Sequence, residues 1–185
     1  PGVYVYQISE INEGKPGIVY DPTIYTVTVT VTDEAGVLKA SVSGMENIAF
    51  NNSYVPDPVT LSGETAIKAT KNFDGKELVG EDFTFILKDQ NGNEVAEAKN
   101  GADGSITFEG IQFTQPGTYY YTLSEKNTSD VGVTFDGSAY VIKIEVVDAG
   151  GALEVSNMEY FKDNAKTDTI VFNNTYNPVG TSVRF

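Results

Sequence analysis

The chain has 185 residues, 26 acidic side chains against 12 basic ones, a net charge of −14, and neither histidine nor cysteine. That balance leaves no basic patch for nucleic acid or an anionic membrane surface. The missing residue types exclude disulfides, Ser-His-Asp or Cys-His nucleophiles, and any His or Cys metal site. Carboxylate, lysine, tyrosine and amide chemistry remain, so no metal and no cofactor is expected. The acidity forms no run of like charge and reads as a solvated surface.

In chain order, Pro1–Glu10 opens on a Pro-Gly followed by alternating Val and Tyr, and Tyr25–Thr32 alternates without error, as a half-buried strand does. Tyr54-Val55-Pro56-Asp57-Pro58 marks a boundary, because its two prolines cannot join a central ladder. Ile67–Phe73 alternates again, and Phe83–Lys88 reads as a strand that turns at Asn91-Gly92 and returns through Val95. Asp103-Gly104 before Ser105–Phe108 is a hairpin signal. Pro116–Glu125, Tyr140–Val146 and Phe172–Tyr176 complete the strands, and no segment favours helical spacing over alternation. Asp89–Glu94 alternates oxygen-bearing residues, but its glycine stands fourth, where a calcium loop needs one in sixth place, so it reads as a turn. Asn51-Asn52-Ser53, Asn127-Thr128-Ser129 and Asn173-Asn174-Thr175 fit the glycosylation triplet, a pattern common by chance.

Two stretches are copies of one pattern. Pro1–Glu10 and Pro116–Glu125 share Pro-Gly, alternating tyrosines and a closing Ser-Glu; each leads to Asp21…Tyr25 or Asp136…Tyr140 and ends in Phe-Asn-Asn-Ser/Thr-Tyr at 50–54 or 172–176. Gly2 to Gly117, Glu10 to Glu125 and Tyr25 to Tyr140 all differ by 115, and the offset grows to 122 between Asn52 and Asn174. A fixed period over several strands indicates duplicated domains. Residues 56–115 have no counterpart ahead of Pro1, so the chain is expected to begin inside a domain, as an excised fragment would. The predicted architecture is all-β: antiparallel, immunoglobulin-like sandwiches. Residues 1–56 form the C-terminal half of one repeat, 57–64 a linker, 65–178 a complete domain and 179–185 a tail.

Strand parity then singles out polar residues on apolar faces. Lys71 shares a face with Ile67, Ala69 and Phe73; Glu125 with Leu123, Tyr121 and Tyr119; Asn174 with Phe172 and Ile170. A buried amine, acid and amide must satisfy one another or cost heavily. Taken singly each has a commonplace reading: a snorkelling lysine, a solvated strand end, a turn asparagine. The first copy repeats the parity, since Glu10 follows Ile8, and Asn52 follows Phe50 and Ile48.

The stretch from about Thr65 to Pro178 resembles the isopeptide-linkage domain of streptococcal-type backbone pilins. The likeness is carried by Ile67–Phe73, Glu81–Phe85, Pro116–Tyr121, Ser124-Glu125 and Phe172–Thr175, and residues 1–55 are similar to the latter half of the same domain. The resemblance implies a β-sandwich on a Gram-positive cell surface, extracellular and anchored to the cell wall, in a pilus or an adhesin stalk. It implies an amide between Lys71 as amine and Asn174 as acceptor, promoted by Glu125, and assigns Glu10 and Asn52 the same parts in the first copy, where the lysine strand is missing. Burial would hold the amine neutral and the carboxyl protonated. The carboxyl is then expected to donate to the Asn174 amide oxygen and to relay a proton to departing ammonia.

Three functions compete on this reading. The first is a structural shaft or stalk module, not a turnover enzyme, whose partners are neighbouring pilin subunits or adjacent repeats. The second is an adhesin sandwich whose loops bind a host protein or glycan. The third is a hydrolase with paired carboxylates, disfavoured because no Asp/Glu pair is tied together by the pattern. The strands missing beside residues 1–55 are expected from upstream sequence or from a neighbouring subunit, with their lysine beside Glu10 and Asn52. No nucleic acid and no membrane insertion are expected.

Overall fold

Alternation of β-branched and aromatic residues with polar ones fits a pleated, half-buried surface, and strands dominate the computed structural model, which describes residues 1–180. The remaining residues of the expected tail, 181–185, lie outside the described ones. One 3₁₀ turn, Gly63–Thr65, is the sole helical element among the described residues. The chain divides into two compact units, residues 1–57 with 150–152, and residues 58–149 with 153 onward.

In the first unit β1 (Gly2–Ser9), β3 (Ile24–Glu34) and β4 (Val37–Ser43) make an antiparallel sheet in the order β1-β3-β4. The short β2 (Ile18–Val19) and β5 (Ser53–Tyr54) pair separately. Cross-strand partners such as Tyr6↔Val27 and Ile8↔Tyr25 line one face. Among residues 1–57 Val27 alone is buried. A single sheet of three strands with one bare face encloses no core of its own.

The second unit is a two-sheet sandwich. Its strands are β6 (Val59–Thr60), β7 (Ile67–Asp74), β8 (Thr84–Asp89), β9 (Glu94–Lys99), β10 (Ser105–Phe108), β11 (Gln112–Phe113), β12 (Gly117–Glu125), β13 (Val133–Thr134), β14 (Ala139–Asp148), β15 (Leu153–Lys162), β16 (Ala165–Thr167) and β17 (Val171–Tyr176). One sheet runs β10-β7-β17-β13 and the other β16-β15-β14-β12-β8-β9, with β6 and β11 forming a small ladder at the side. Between the sheets lie Ile67, Phe85, Leu87, Ile106, Leu123, Ile142, Ile144 and Phe172. Phe172 meets Phe85 and Tyr140 at centroid distances of 5.1 and 5.3 Å, within the range of favourable aromatic pairs.

Among these strands every pairing is antiparallel except that of β7 with β17, which is parallel and sets Phe172 opposite Lys71 and Asn174 opposite Phe73. The first long strand of the unit and its last are therefore neighbours.

Two expectations change. The predicted linker 57–64 is shorter, because Val59 and Thr60 pair with Phe113 and Gln112 and Leu61 is fully buried in the core. The Asp103-Gly104 turn does not close a hairpin of β9 with β10, since β10 crosses to the opposite sheet and pairs with β7. Gly104 makes this crossing possible. Its φ is +83° and its missing Cβ would lie 2.4 Å from the Lys71 carbonyl oxygen, while the Lys71 N–H donates to the Gly104 carbonyl at 2.7 Å. Asp89–Glu94 forms the β8–β9 turn, with the Asp89 carboxylate accepting from the Asn91 and Asn93 N–H groups at 2.8 and 2.9 Å.

Candidate cross-link site

β7 alternates buried and exposed residues as its parity requires. Ile67, Ala69 and Lys71 point inward and Lys68, Thr70 and Asn72 outward. β12 carries Tyr121, Leu123 and Glu125 toward the same interior, and β17 carries Phe172 and Asn174 there while Asn173 faces solvent. Because β7 and β17 run side by side and β12 lies in the facing sheet, Lys71, Glu125 and Asn174 converge.

The Lys71 Nζ lies 2.8 Å from Glu125 Oε2, and both side chains are 0% exposed. Asn174 Nδ2 donates to Glu125 Oε1 at 2.7 Å. The Lys71 ammonium position sits 4.5 Å from the Phe83 ring centroid and 6.0 Å from that of Phe85. Burial pulls the Lys71 pKa below its ordinary value, against the opposing pull of its Glu125 partner. Burial likewise pushes the Glu125 carboxyl up, against the hydrogen bonds and charge of Lys71 and the bond from Asn174. Both shifts move the pair toward a neutral amine and a neutral acid.

The Asn174 oxygen does not face Glu125. It accepts the Asp136 backbone N–H at 2.7 Å, so the expected hydrogen bond from Glu125 to that oxygen is replaced by a backbone donor. An amide oxygen opposite a fixed N–H donor and an amide NH₂ opposite a carboxylate is the only orientation that satisfies both ends. Asp136 is the residue that reading strand parity missed, although the sequence signal was present in the repeated Asp21…Tyr25 and Asp136…Tyr140. Its carboxylate accepts the N–H groups of Asn173 and Ser138, each at 2.8 Å, and so clamps the turn ahead of β14 onto β17. Burial alone would raise the Asp136 pKa, yet the hydrogen bonds from Ser138 and Asn173 outweigh it and hold the carboxyl below its usual value.

The first unit has the same wiring with one member fewer. Asn52 Nδ2 donates to Glu10 Oε1 at 2.6 Å, Asn52 Oδ1 accepts the Asp21 N–H at 2.9 Å, and the Asn51 N–H donates to Asp21 Oδ2 at 2.8 Å. Glu10 and Asn52 are thus together, but Asn52 is exposed, and Lys15, which lines the same cleft, is paired with Glu13. The unit's two lysines are occupied on its surface, Lys15 with Glu13 and Lys39 with Glu34.

Residues 1–55 and 67–177 match the model of the family FctA, described as Spy0128-like isopeptide containing domain. Solved structures to which the chain is similar include the major pilin from Streptococcus pyogenes, at 20% identity over 60% of this chain and 50% of that one with a TM-score of 0.44. The major pilin T-13 from the same organism shares 20% identity over 65% and 54% at a TM-score of 0.45. The T3.2 pilin shares 21% over 95% and 68% at 0.31. The chain spans 50% of the length of the first of these. No curated protein matches it.

Proposed function

The chain belongs to the FctA family of Spy0128-like isopeptide containing domains, and from that premise we propose that it is a structural module of a Gram-positive surface pilus or stalk whose second unit ties itself with a Lys71–Asn174 amide. The observation that carries this reading is the fully buried Lys71–Glu125 pair with Asn174 on the other carboxylate oxygen. A lone buried ion pair between β7 and β12 is a poor stabilising device, since desolvation offsets its attraction. The same three groups are an apt reaction set.

Glu125 takes a proton from Lys71, leaving a neutral amine, the only form that attacks. The amine nitrogen bonds to the Asn174 carbonyl carbon, whose oxygen develops negative charge against the Asp136 N–H, a donor already in place. Glu125, 2.7 Å from Asn174 Nδ2, returns the proton to that nitrogen. The C–N bond breaks, the attacking nitrogen sheds its second proton, ammonia leaves with that proton as ammonium, and an amide joins the strands. The sandwich supplies proximity, worth ~7–11 kcal/mol of barrier in well-oriented intramolecular reactions. Each carboxylate cycle leaves Glu125 as it began, but lysine and asparagine are consumed, so the step occurs once per chain. In this reading the module is extracellular, faces neighbouring subunits or repeats, and uses the bond where other surface proteins use disulfides.

Intact mass spectrometry tests it. The purified chain should weigh about 17 Da less than its sequence, one ammonia. Glu125→Ala should restore the full mass while far-ultraviolet circular dichroism stays that of a β-protein. A wild-type mass equal to the sequence would sink the proposal.

A further inference from the structure

Among the described residues the buried polar and charged ones are Lys71, Asn174 and Asn100. The coupling uses the first two and gives Asn100 no part. Asn100 follows β9 directly, and all its polar groups are engaged. Its Oδ1 accepts the Phe83 N–H at 2.8 Å, and its Nδ2 donates to the carbonyls of Val79 and Gly101, each at 2.9 Å. Its own N–H donates to the Phe83 carbonyl at 3.3 Å, and its carbonyl accepts the Glu81 N–H at 2.8 Å. All but the bond to Gly101 reach residues 79–83, a segment outside any strand. Glu81 holds a left-handed φ of +67° there, a conformation that costs a non-glycine residue energy and persists only where its surroundings impose it. Phe83 lies one residue past the last β8–β9 pair, Thr84 with Lys99. The strand ladder ends before it, and Asn100 takes over.

What Asn100 pins bears on the amine. The Phe83 ring is buried, and its centroid stands 4.5 Å from Lys71 Nζ. Phe73 and Phe135 meet that ring edge to face at 5.0 and 5.9 Å. We propose, resting on the Lys71–Asn174 coupling of the previous section, that Asn100 is a positioning residue for that reaction, which holds Phe83 as the seal over the Lys71 amine. A ring attracts an ammonium, but by less than the hydration it displaces, so the seal favours the neutral amine that attacks. The clamp needs an amide. Aspartate would keep the acceptor for the Phe83 N–H but set a carboxylate against the carbonyls of Val79 and Gly101. The charged groups that act on the amine are Glu125 and Asp136, and both survive that change. On the pinned segment Glu81 pairs with Lys99 at the surface, and Asp82 accepts the Val79 N–H.

One measurement is independent of the coupling. In the folded full chain carrying Asn174→Ala, which leaves Lys71 unlinked, acetic anhydride should label the surface lysines and spare Lys71, as read from tandem mass spectra of the digested chain. Adding Asn100→Asp or Phe83→Leu should open Lys71 to acetylation. Equal protection with and without Asn100→Asp, in chains of matching far-ultraviolet circular dichroism, would overturn the proposal. The uncharged Asn100→Ser takes its place if Asn100→Asp does not fold. The second measurement follows ammonia loss by intact mass after the otherwise unsubstituted full chain, kept unlinked in guanidinium, is diluted into buffer. Asn100→Asp should slow that loss by at least about tenfold near pH 7, and by less near pH 9, where the solvent itself takes more of the ammonium protons. Phe83→Leu should act alike, and the two substitutions together should slow it no further than one alone. A deficit equal at both pH values, or two effects that multiply, would mean that Asn100 supports the fold at large and would overturn the proposal. Ammonia loss that Asn100→Asp leaves untouched refutes the positioning role alone. A wild-type chain that never loses ammonia refutes the coupling, and the positioning role with it.

Discussion

Residues 1–57 and the stretch from Pro116 to Asn177 carry the same polar wiring in different surroundings. Each joins a glutamate to an asparagine, fixes that asparagine's oxygen with an aspartate N–H, and ties a tyrosine hydroxyl to a backbone carbonyl, Tyr25 to Ala49 at 2.7 Å and Tyr140 to Val171 at 2.8 Å. Burial differs sharply: Ile8 is 37% exposed where Leu123 is 0%, and Tyr6 is 55% exposed where Tyr121 is 8%. The wiring is therefore a property of the C-terminal half of the domain, formed by β12–β17 and by its copy. The apolar cover and the amine come from the N-terminal strands β6–β11. Hydrogen-bond geometry alone does not make a reactive site; desolvation does the rest.

The comparison breaks most visibly at the asparagines. Asn174→Ala should remove the proposed tether over a loop of roughly 100 residues, costing about 4.7 kcal/mol on the chain-entropy model and lowering the melting temperature of the second unit by about 15 °C. Asn52→Ala should leave the melt of the chain nearly unchanged. Equal effects in calorimetry would mean that the two sites do the same work. Next in size are the core positions. Leu123→Ala should cost about 2–5 kcal/mol in denaturant unfolding, and the matching Ile8→Ala less than half of that, since most of its cost depends on cover.

A third comparison uses pH. In Glu125→Ala the Lys71 amine stays buried without its partner, so its pKa falls further below the ordinary 10.5. A lysine depressed in the folded state costs stability fully below its folded pKa, and the cost disappears as pH rises toward the unfolded value. Glu125→Ala should therefore gain stability as the pH is raised from neutral toward 10, a slope abolished by adding Lys71→Met and absent from Glu10→Ala, whose unit holds no buried lysine. Equilibrium unfolding at several pH values measures it. The smallest effect concerns the tyrosine hydroxyls: Tyr140→Phe and Tyr25→Phe each lose one hydrogen bond to a carbonyl, about 1 kcal/mol, with Tyr140→Phe the larger because the Val171 carbonyl would be left in a drier place.

Much of this was legible in the sequence because a strand has a period of two and a core has an inside. Alternation placed Lys71, Glu125 and Asn174 inward, and the repeat paired Glu10 with Asn52. What it did not reveal depends on contacts distant in sequence. Nothing in Ser105–Phe108 says which sheet it joins, since both sheets accept an alternating strand; the choice rests on Gly104 lying against the Lys71 backbone. Leu61 reads as linker because two prolines precede it, yet one buried leucine suffices to draw the segment into the core. Asp136 acts through its main-chain N–H as well as its carboxylate, and a backbone donor leaves no mark on side-chain identity.

The parallel pairing of β7 with β17 has a mechanical consequence. A force that enters at the start of β7 and leaves at the end of β17 slides the two strands past each other, so the bonds of that ladder resist together rather than opening one after another from an end. With the proposed amide between Lys71 and Asn174, the force would cross from one strand to the other at that point and reach none of the residues between them. The sandwich would then transmit tension as an inextensible link while its interior stayed slack.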